Sequence, residues 1–428
     1  ISYATRMISV IALLFCTHLN AQYTINDTFA DLTECSSMTR DIFVVWWDND
    51  FNYADEVDVL LDQMIEYRNT CLNDLNMRDP PSALEGYFQN IYIHGDGGYF
   101  DTNGWGNGVG TDSNGYPFYT LPYGLMTDYV NLGHEIFHIF QYNANSPGFA
   151  YSGDSAWYIE ASANWFGAKQ SITSQRAFIE AESLVRLPHI PLWVSFDNFP
   201  DDYPDNWQRF VHQYALGLFL YYLTDVENVS PNLISEGFYA NTSELPQEYL
   251  FNQIGATDFR NLFIDFAARI TNDFDFITPQ QAAANEQEWN DYADPADDNE
   301  ITATFDETGT DDWYQPATNL TTNAWSFNTY KLNNTSATTY TFEIQGNPTG
   351  TYGDPSYFQG KVLVKNTVGT TTFYDIPMTS DIEGSLSLDL TSDDTEVSGI
   401  IASMPDRVDD ALPDCQVVPD PSRISEDP

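Results

Sequence analysis

One stretch, "YVNLGHEIFHIFQY" (129–142), constrains the fold more than any other part of the chain. His134 and His138 lie four residues apart, and Glu135 follows the first histidine directly. On a helix, residues four apart share a face, so both imidazoles can aim at one point. Met126, Tyr129, Val130, Phe137 and Phe140 give the segment an apolar side, which has to pack against other elements. Histidine on an apolar helix is more often a satisfied core residue. With only 6 histidines in 428 residues, however, chance yields this pattern at a rate of at most about 1%. The fold is therefore expected to bury a helix whose polar face converges on a metal ion.

Zn²⁺ accepts neutral imidazole at about 2.0–2.1 Å and, in catalytic sites, takes three protein ligands plus a water. His134 and His138 supply two of them. Glu135, about 100° further round the helix, reaches the water rather than the metal and can serve as general base. The third ligand is sought in the next helical segment, "SAWYIEASANWFGAK" (155–169), where Glu160 is the one acid. It stands among Trp157, Ile159, Ala161, Ala163 and Trp165, surroundings in which an unpaired carboxylate is costly. Ala161, Ala163 and Ala168 are small enough to let two helices approach around a metal. Asp154, in the loop "YSGDS", is the rival ligand, with an N-cap or an outer acceptor as its other roles. Asn164, one turn beyond Glu160, is placed to accept the second ring N–H of a ligating histidine.

The rest of the chain reads as two folded units, the prior for this length. With 42% hydrophobic and 15% aromatic residues, it can bury a substantial core. "DIFVVWWD" (41–48) and "NIYIHGDG" (90–97) read as strands, and 53–72 as a helix between them. From 95 to 124 Gly, Asn, Asp and Tyr predict a long loop. Its pieces "DTNGWGNG" and "GTDSNG" offer oxygens to Ca²⁺ but lack EF-hand spacing, so ordinary turns are the simpler account. Helical patterns are expected at 125–143, 155–170, 173–185, 207–224 and 258–271. An acidic linker follows over 286–300, then short β-prone runs over 301–405 that fit a small antiparallel sandwich, and a tail over 406–428.

Sixty-three acidic against 15 basic residues leave a net charge of -48, a field that repels nucleic acid and anionic membrane. An acidic surface suited to high salt is the plain explanation of that balance. At the N-terminus, Arg6, the run "MISVIALLFC" and Ala21 read as a signal peptide over 1–21, too short to span a bilayer. The mature chain, from about Gln22, is expected to be secreted, extracellular or periplasmic. Export permits disulfides; Cys35 and Cys71, flanking one strand and one helix, are the favoured pair, with Cys415 left over.

His134, Glu135, His138 and the downstream helical Glu160 resemble the gluzincin clan of zinc metallopeptidases, the thermolysin-like set. More narrowly, "GHEIFHIFQY" followed by "WYIEASANW" is similar to the Trp-x-x-Glu-x-x-Ala pattern of peptidase-MA-like proteins, including uncharacterised secreted ones. The resemblance covers most of 40–405, but only the helices at 125–170 carry its specific residues. It implies an α+β fold: a zincin-like catalytic domain over 22–285, followed by the β-sandwich. It also implies one Zn²⁺, an edge strand ("NIYIHG") able to pair with an extended peptide, and a Tyr or His that stabilises the oxyanion. For that last role Tyr214 is the candidate, ahead of His212 and Arg209. Asn164 departs from the Asp of many clan members. His94 and His189 show no partner pattern and read as structural.

The function expected from these residues is a secreted zinc endopeptidase, acting as a monomer on extracellular protein or glycoprotein. Cleavage restricted to glycosylated, mucin-like substrates is a narrower form of it, suggested by analogy alone. The alternative is a metal-stabilised, catalytically silent surface or adhesion protein that binds protein or glycan. Glu135 argues against it, because a binding module has no need of a base.

Overall fold

The computed structural model describes residues 23–26, 30–151, 153–199, 206–292, 305–307, 313–316, 321–332, 338–350, 355–408 and 422–427. The expected signal peptide, Cys415, residues 293–300 of the expected linker and 409–421 of the expected tail lie outside them. The fold is α+β.

β-Branched and aromatic residues build the first sheet: β1 (Cys35–Arg40), β2 (Phe43–Asp48), β3 (Gln89–His94), β4 (Gly108–Thr111) and β5 (Pro117–Pro122). Their order is β1-β2-β3-β5-β4, with β2, β3 and β5 parallel and the two outer strands antiparallel. β2 and β3 are buried on both faces, as inner parallel strands require. β3 is thus interior, and the expectation of an edge strand at "NIYIHG" is corrected: the edges are β1 and β4. The expected long loop is also more ordered than its composition suggested. It contains the β4–β5 hairpin, whose turn is "GTDSNG", with Asp112 accepting the backbone N–H groups of Asn114 and Tyr116. Phe100 and Trp105, stacked at 5.1 Å, cover the outer face of the sheet over Tyr92 and Phe118.

On the inner face lie α1 (Ala54–Asn69), α2 (Tyr129–Gln141) and α3 (Ala156–Gln170). α1 buries Val57, Leu60, Leu61, Met64 and Tyr67 at helical spacing. α4 (Asn206–Ala215), α5 (Ala256–Thr271) and α6 (Pro279–Tyr292) complete the larger helices. Residues 173–182 form turns rather than the expected helix, and α6 runs into the segment expected as linker. Cys71 is a fully buried free thiol in the main core. Cys35 borders the aromatic cluster on the opposite face of the sheet, so the favoured disulfide is not formed: the sheet separates the two residues.

Beyond α6, β8 (Ser326–Leu332), β10 (Phe358–Asn366), β11 (Thr371–Asp375) and β13 (Asp394–Ser403) form one antiparallel sheet. A second contains β6 (Phe305–Glu307), β7 (Trp313–Pro316), β9 (Thr338–Gly346), β12 (Glu383–Leu390) and β14 (Ser422–Asp427). The sheets meet across Phe342, Ile344, Val362, Val364 and Ile401. Leu363, Ile400 and Ala402, on the alternate face of the first, join the core of the helical part. Trp325, fully buried at φ 56°, locks that junction among Trp193, Phe259 and Phe263. Among the described residues no helix is long and apolar enough to cross a membrane.

Candidate metal centre

α2 begins where Asp128 accepts the backbone N–H of Asn131 at 3.2 Å. Its apolar positions Leu132, Ile136, Ile139 and Phe140 are fully buried, which turns the histidines towards α3. The two helices meet at glycines. A Cβ on Gly133 would lie 2.9 Å from Gly167 Cα, and one on Gly167 would lie 2.2 Å from the Val130 carbonyl oxygen. The approach that sets His134 against Glu160 therefore depends on Gly133 and Gly167.

At the crossing, His134 Nε2 and His138 Nε2 are 2.9 Å apart, and Glu160 Oε2 is 3.3 and 3.4 Å from them. Ligand–ligand edges of a tetrahedral ion with bonds of about 2.0–2.1 Å measure about 3.3–3.4 Å. The three atoms thus form one slightly tight face of such a tetrahedron. Both rings have fixed tautomers. His134 Nδ1 donates to Asn164 Oδ1 at 2.8 Å, and His138 Nδ1 to Gln141 Oε1 at 2.6 Å. Neither amide can be reversed. Asn164 Nδ2 donates to the Tyr214 carbonyl and to Glu180; Gln141 Nε2 donates to the Ile159 carbonyl and to Ser162 Oγ. With Nδ1 protonated, the neutral rings turn bare Nε2 lone pairs towards each other and towards Glu160 Oε2. That oxygen is buried and receives no hydrogen bond. Three acceptors converging without a donor suit a cation.

Burial opposes charge on His138, but the Glu160 carboxylate overrides it and holds the imidazole pKa up at about 9. Burial likewise works against ionised Glu160, yet His138 and His134 hold its pKa well below the usual range. A proton is thus the cation's competitor. Between pH 6.5 and 8.5, affinity for Zn²⁺ is expected to rise about tenfold per pH unit as His138 gives up its proton, levelling above about 9. Chelator competition at several pH values checks this; a flat profile contradicts it. In the metal-free chain the same pair stabilises the fold fully between about 4.5 and 6.5; that contribution is lost as pH climbs through about 9, where His138 gives up its proton, and in strong acid, where Glu160 takes one.

Glu135 is 6% exposed, and a carboxylate oxygen lies within 4.8 Å of a ring nitrogen of each of His134 and His138. Its Oε1 accepts from Asn107 Nδ2 at 2.8 Å. Asn107 is itself held by Tyr119, whose hydroxyl donates to Asn107 Oδ1 at 3.0 Å. The Tyr214 ring stacks on His134 with centroids 5.6 Å apart. The Tyr151 hydroxyl donates to Glu160 Oε1. Burial first, then Glu160, pushes both phenols above the ordinary tyrosine range, so both stay protonated donors. A cleft of about 650 Å³ opens over these groups, bordered by Gly108 and Val109 of β4.

The model of a family of unknown function, DUF6055, matches residues 19–356. The chain belongs to that family. No curated protein matches it. Among solved structures it is similar to a family GH115 4-O-methyl-α-glucuronidase with specificity for decorated arabinogalactans, at 9% identity and a TM-score of 0.15. That match covers 83% of this chain and 54% of the other, so the chain spans about half the length of that structure.

In this member of DUF6055, the predicted residues His134, Glu135, His138, Glu160, Asn164 and Tyr214 lie together. Asp154 does not join them: it is exposed and accepts from Asn198 Nδ2 at 2.6 Å. His212 is buried elsewhere, with Nε2 against the Pro191 carbonyl, and burial pushes its pKa down to about 4. The Arg209 side chain lies outside the described residues. His94 meets the Gly106 carbonyl, and burial pushes His189 down to about 4. Asn107, Gln141, Tyr151 and Glu180 were not anticipated. Gln141 carried the clearest signal, standing on the face of His138 one turn later.

Proposed function

We propose that the chain is a secreted zinc endopeptidase of the gluzincin type, with a zincin-like catalytic domain, hydrolysing peptide bonds in extracellular protein or glycoprotein. The observation that carries this reading is the convergence of His134 Nε2, His138 Nε2 and Glu160 Oε2 beneath a cleft, with Glu135 fixed beside them. Two nitrogens and one carboxylate oxygen are a donor set that suits zinc. Zinc bound there supplies a Lewis acid and a water of lowered pKa.

The chain's own groups do the rest. Glu135, held by Asn107, takes the proton of the attacking water and passes it to the leaving amine. Tyr214 donates to negative charge growing on the substrate carbonyl, in a site where partial burial strengthens such a bond, while Tyr151 donates to Glu160 Oε1 and holds it in place. β4 pairs with β5 on one side, and its other edge lines the cleft, so an extended peptide can add as a further strand. Its carbonyl then lies over the histidines. A held Glu135 beside the three converging atoms favours this reading over a silent binding module, which has no need of a base.

The test is release of fluorescence from quenched casein by the purified chain. Cleavage is expected, with loss of at least about 100-fold on chelation and recovery on adding Zn²⁺. Cleavage insensitive to the chelator, or none in the zinc-loaded chain, would contradict the proposal.

A further inference from the structure

The amide that orients His134 is itself connected outward. Asn164 Oδ1 accepts the His134 Nδ1 proton at 2.8 Å, while Nδ2 donates to Glu180 Oε2 at 3.2 Å and to the Tyr214 carbonyl at 3.0 Å. Only an amide can make all three bonds. A carboxylate at this position would lose both donors and face a carbonyl and a second carboxylate. A ligating histidine usually donates to an acceptor that raises its basicity, often a carboxylate, and such partners affect metal affinity strongly. In this chain the carboxylate stands one side chain further out.

The segment carrying Glu180 is built to keep it there. Ala177, Phe178 and Ala181 are buried around it. Phe178 holds φ 62°, a costly conformation for an aromatic residue, and its ring packs on Tyr221 with centroids 4.9 Å apart. Arg176, the cation of the same segment, is 60% exposed and turned to Asp128 at 3.4 Å. Glu180 and His134 both line a second cavity, of about 250 Å³, which shares Asn107, Glu135 and Tyr214 with the larger cleft.

We propose that Glu180 is a positioning residue that supplies, through the Asn164 amide, the negative charge that strengthens His134 as a metal ligand. The inference rests on the metal centre proposed above. Burial raises the Glu180 pKa above the ordinary carboxylate value; hydrogen bonds in series polarise one another, so Glu180, once ionised, increases the electron density on His134 Nε2 without contacting the ring.

The test is Zn²⁺ affinity by competition with a chromophoric chelator, on the full chain at constant pH, with a thermal melt of each metal-free variant. Glu180→Gln keeps an acceptor for Asn164 and removes the charge, so affinity is expected to fall about tenfold. Combining Asn164→Asp with Glu180→Gln places the charge directly on His134 and gives it a donor from position 180, leaving the Tyr214 carbonyl as the one partner without its donor. That double variant is expected to return to within about threefold of wild type. A purely structural role would shift the melts of both variants and give no rescue. Glu180→Gln binding within about twofold of wild type, or a double variant no tighter than Glu180→Gln, overturns the inference. Wild type that binds no Zn²⁺ instead overturns the metal centre itself.

Discussion

Glu135→Gln is expected to leave Zn²⁺ bound and to remove casein cleavage, with a loss of at least 10²–10⁴-fold, about the range that general base catalysis supplies. The substitution is close to isosteric, and a glutamine oxygen still accepts from Asn107 Nδ2, which now meets Glu135 Oε1 at 2.8 Å. The three proposed ligands, His134, His138 and Glu160, are left in place, and Glu135 keeps its contact with Asn107. Metal content should therefore equal that of wild type while turnover collapses. Single-turnover kinetics on the quenched substrate measure the loss without interference from product release. A Glu135→Gln chain that cleaves as fast as wild type would remove the base from the mechanism and leave the cleft a binding site.

The parts of this site that were legible in the sequence are those that local geometry dictates. Two histidines four apart share a helix face in any fold, and a single acid among tryptophans and alanines has to find a partner once buried. Asn164 follows from the same reasoning, being one turn from Glu160. The fold class was legible for a similar reason, since alternation and helical spacing are local signals.

What stayed hidden depends on pairing between distant segments. Strand order is one case: nothing within "NIYIHG" says that β5 lies on its open side, and nothing in a Gly-rich run says that Gly108–Thr111 forms an edge. Gly133 and Gly167 are another. Each looks like a tolerated helix glycine, and only the crossing shows that a Cβ on either would meet the neighbouring backbone. Asn107 and Tyr151 sit in segments whose composition signals turns, so their reach into the cleft had no local sign. Trp325 at φ 56° is a conformation that no propensity would assign to tryptophan; the aromatic junction around it fixes it.

Glu160→Ala is expected to abolish tight metal binding, because it removes one of three ligands and leaves two imidazoles 2.9 Å apart with nothing between them but their lone pairs. Loss of affinity should exceed the 10–100-fold that outer partners of a ligand typically contribute. Glu160→Gln serves beside it as the variant that keeps the volume, so that misfolding and loss of a ligand can be told apart. Zn²⁺ in excess should raise the melting temperature of wild type by mass action and leave both variants unmoved.

Metal analysis of the purified wild-type chain beside Glu160→Ala and Glu160→Gln, after incubation with Zn²⁺ and removal of free ions, tests the central claim most directly. About one zinc per wild-type chain, with little in either variant, is the predicted result. Wild type without zinc, or a Glu160→Ala chain that holds it as tightly, would contradict the account.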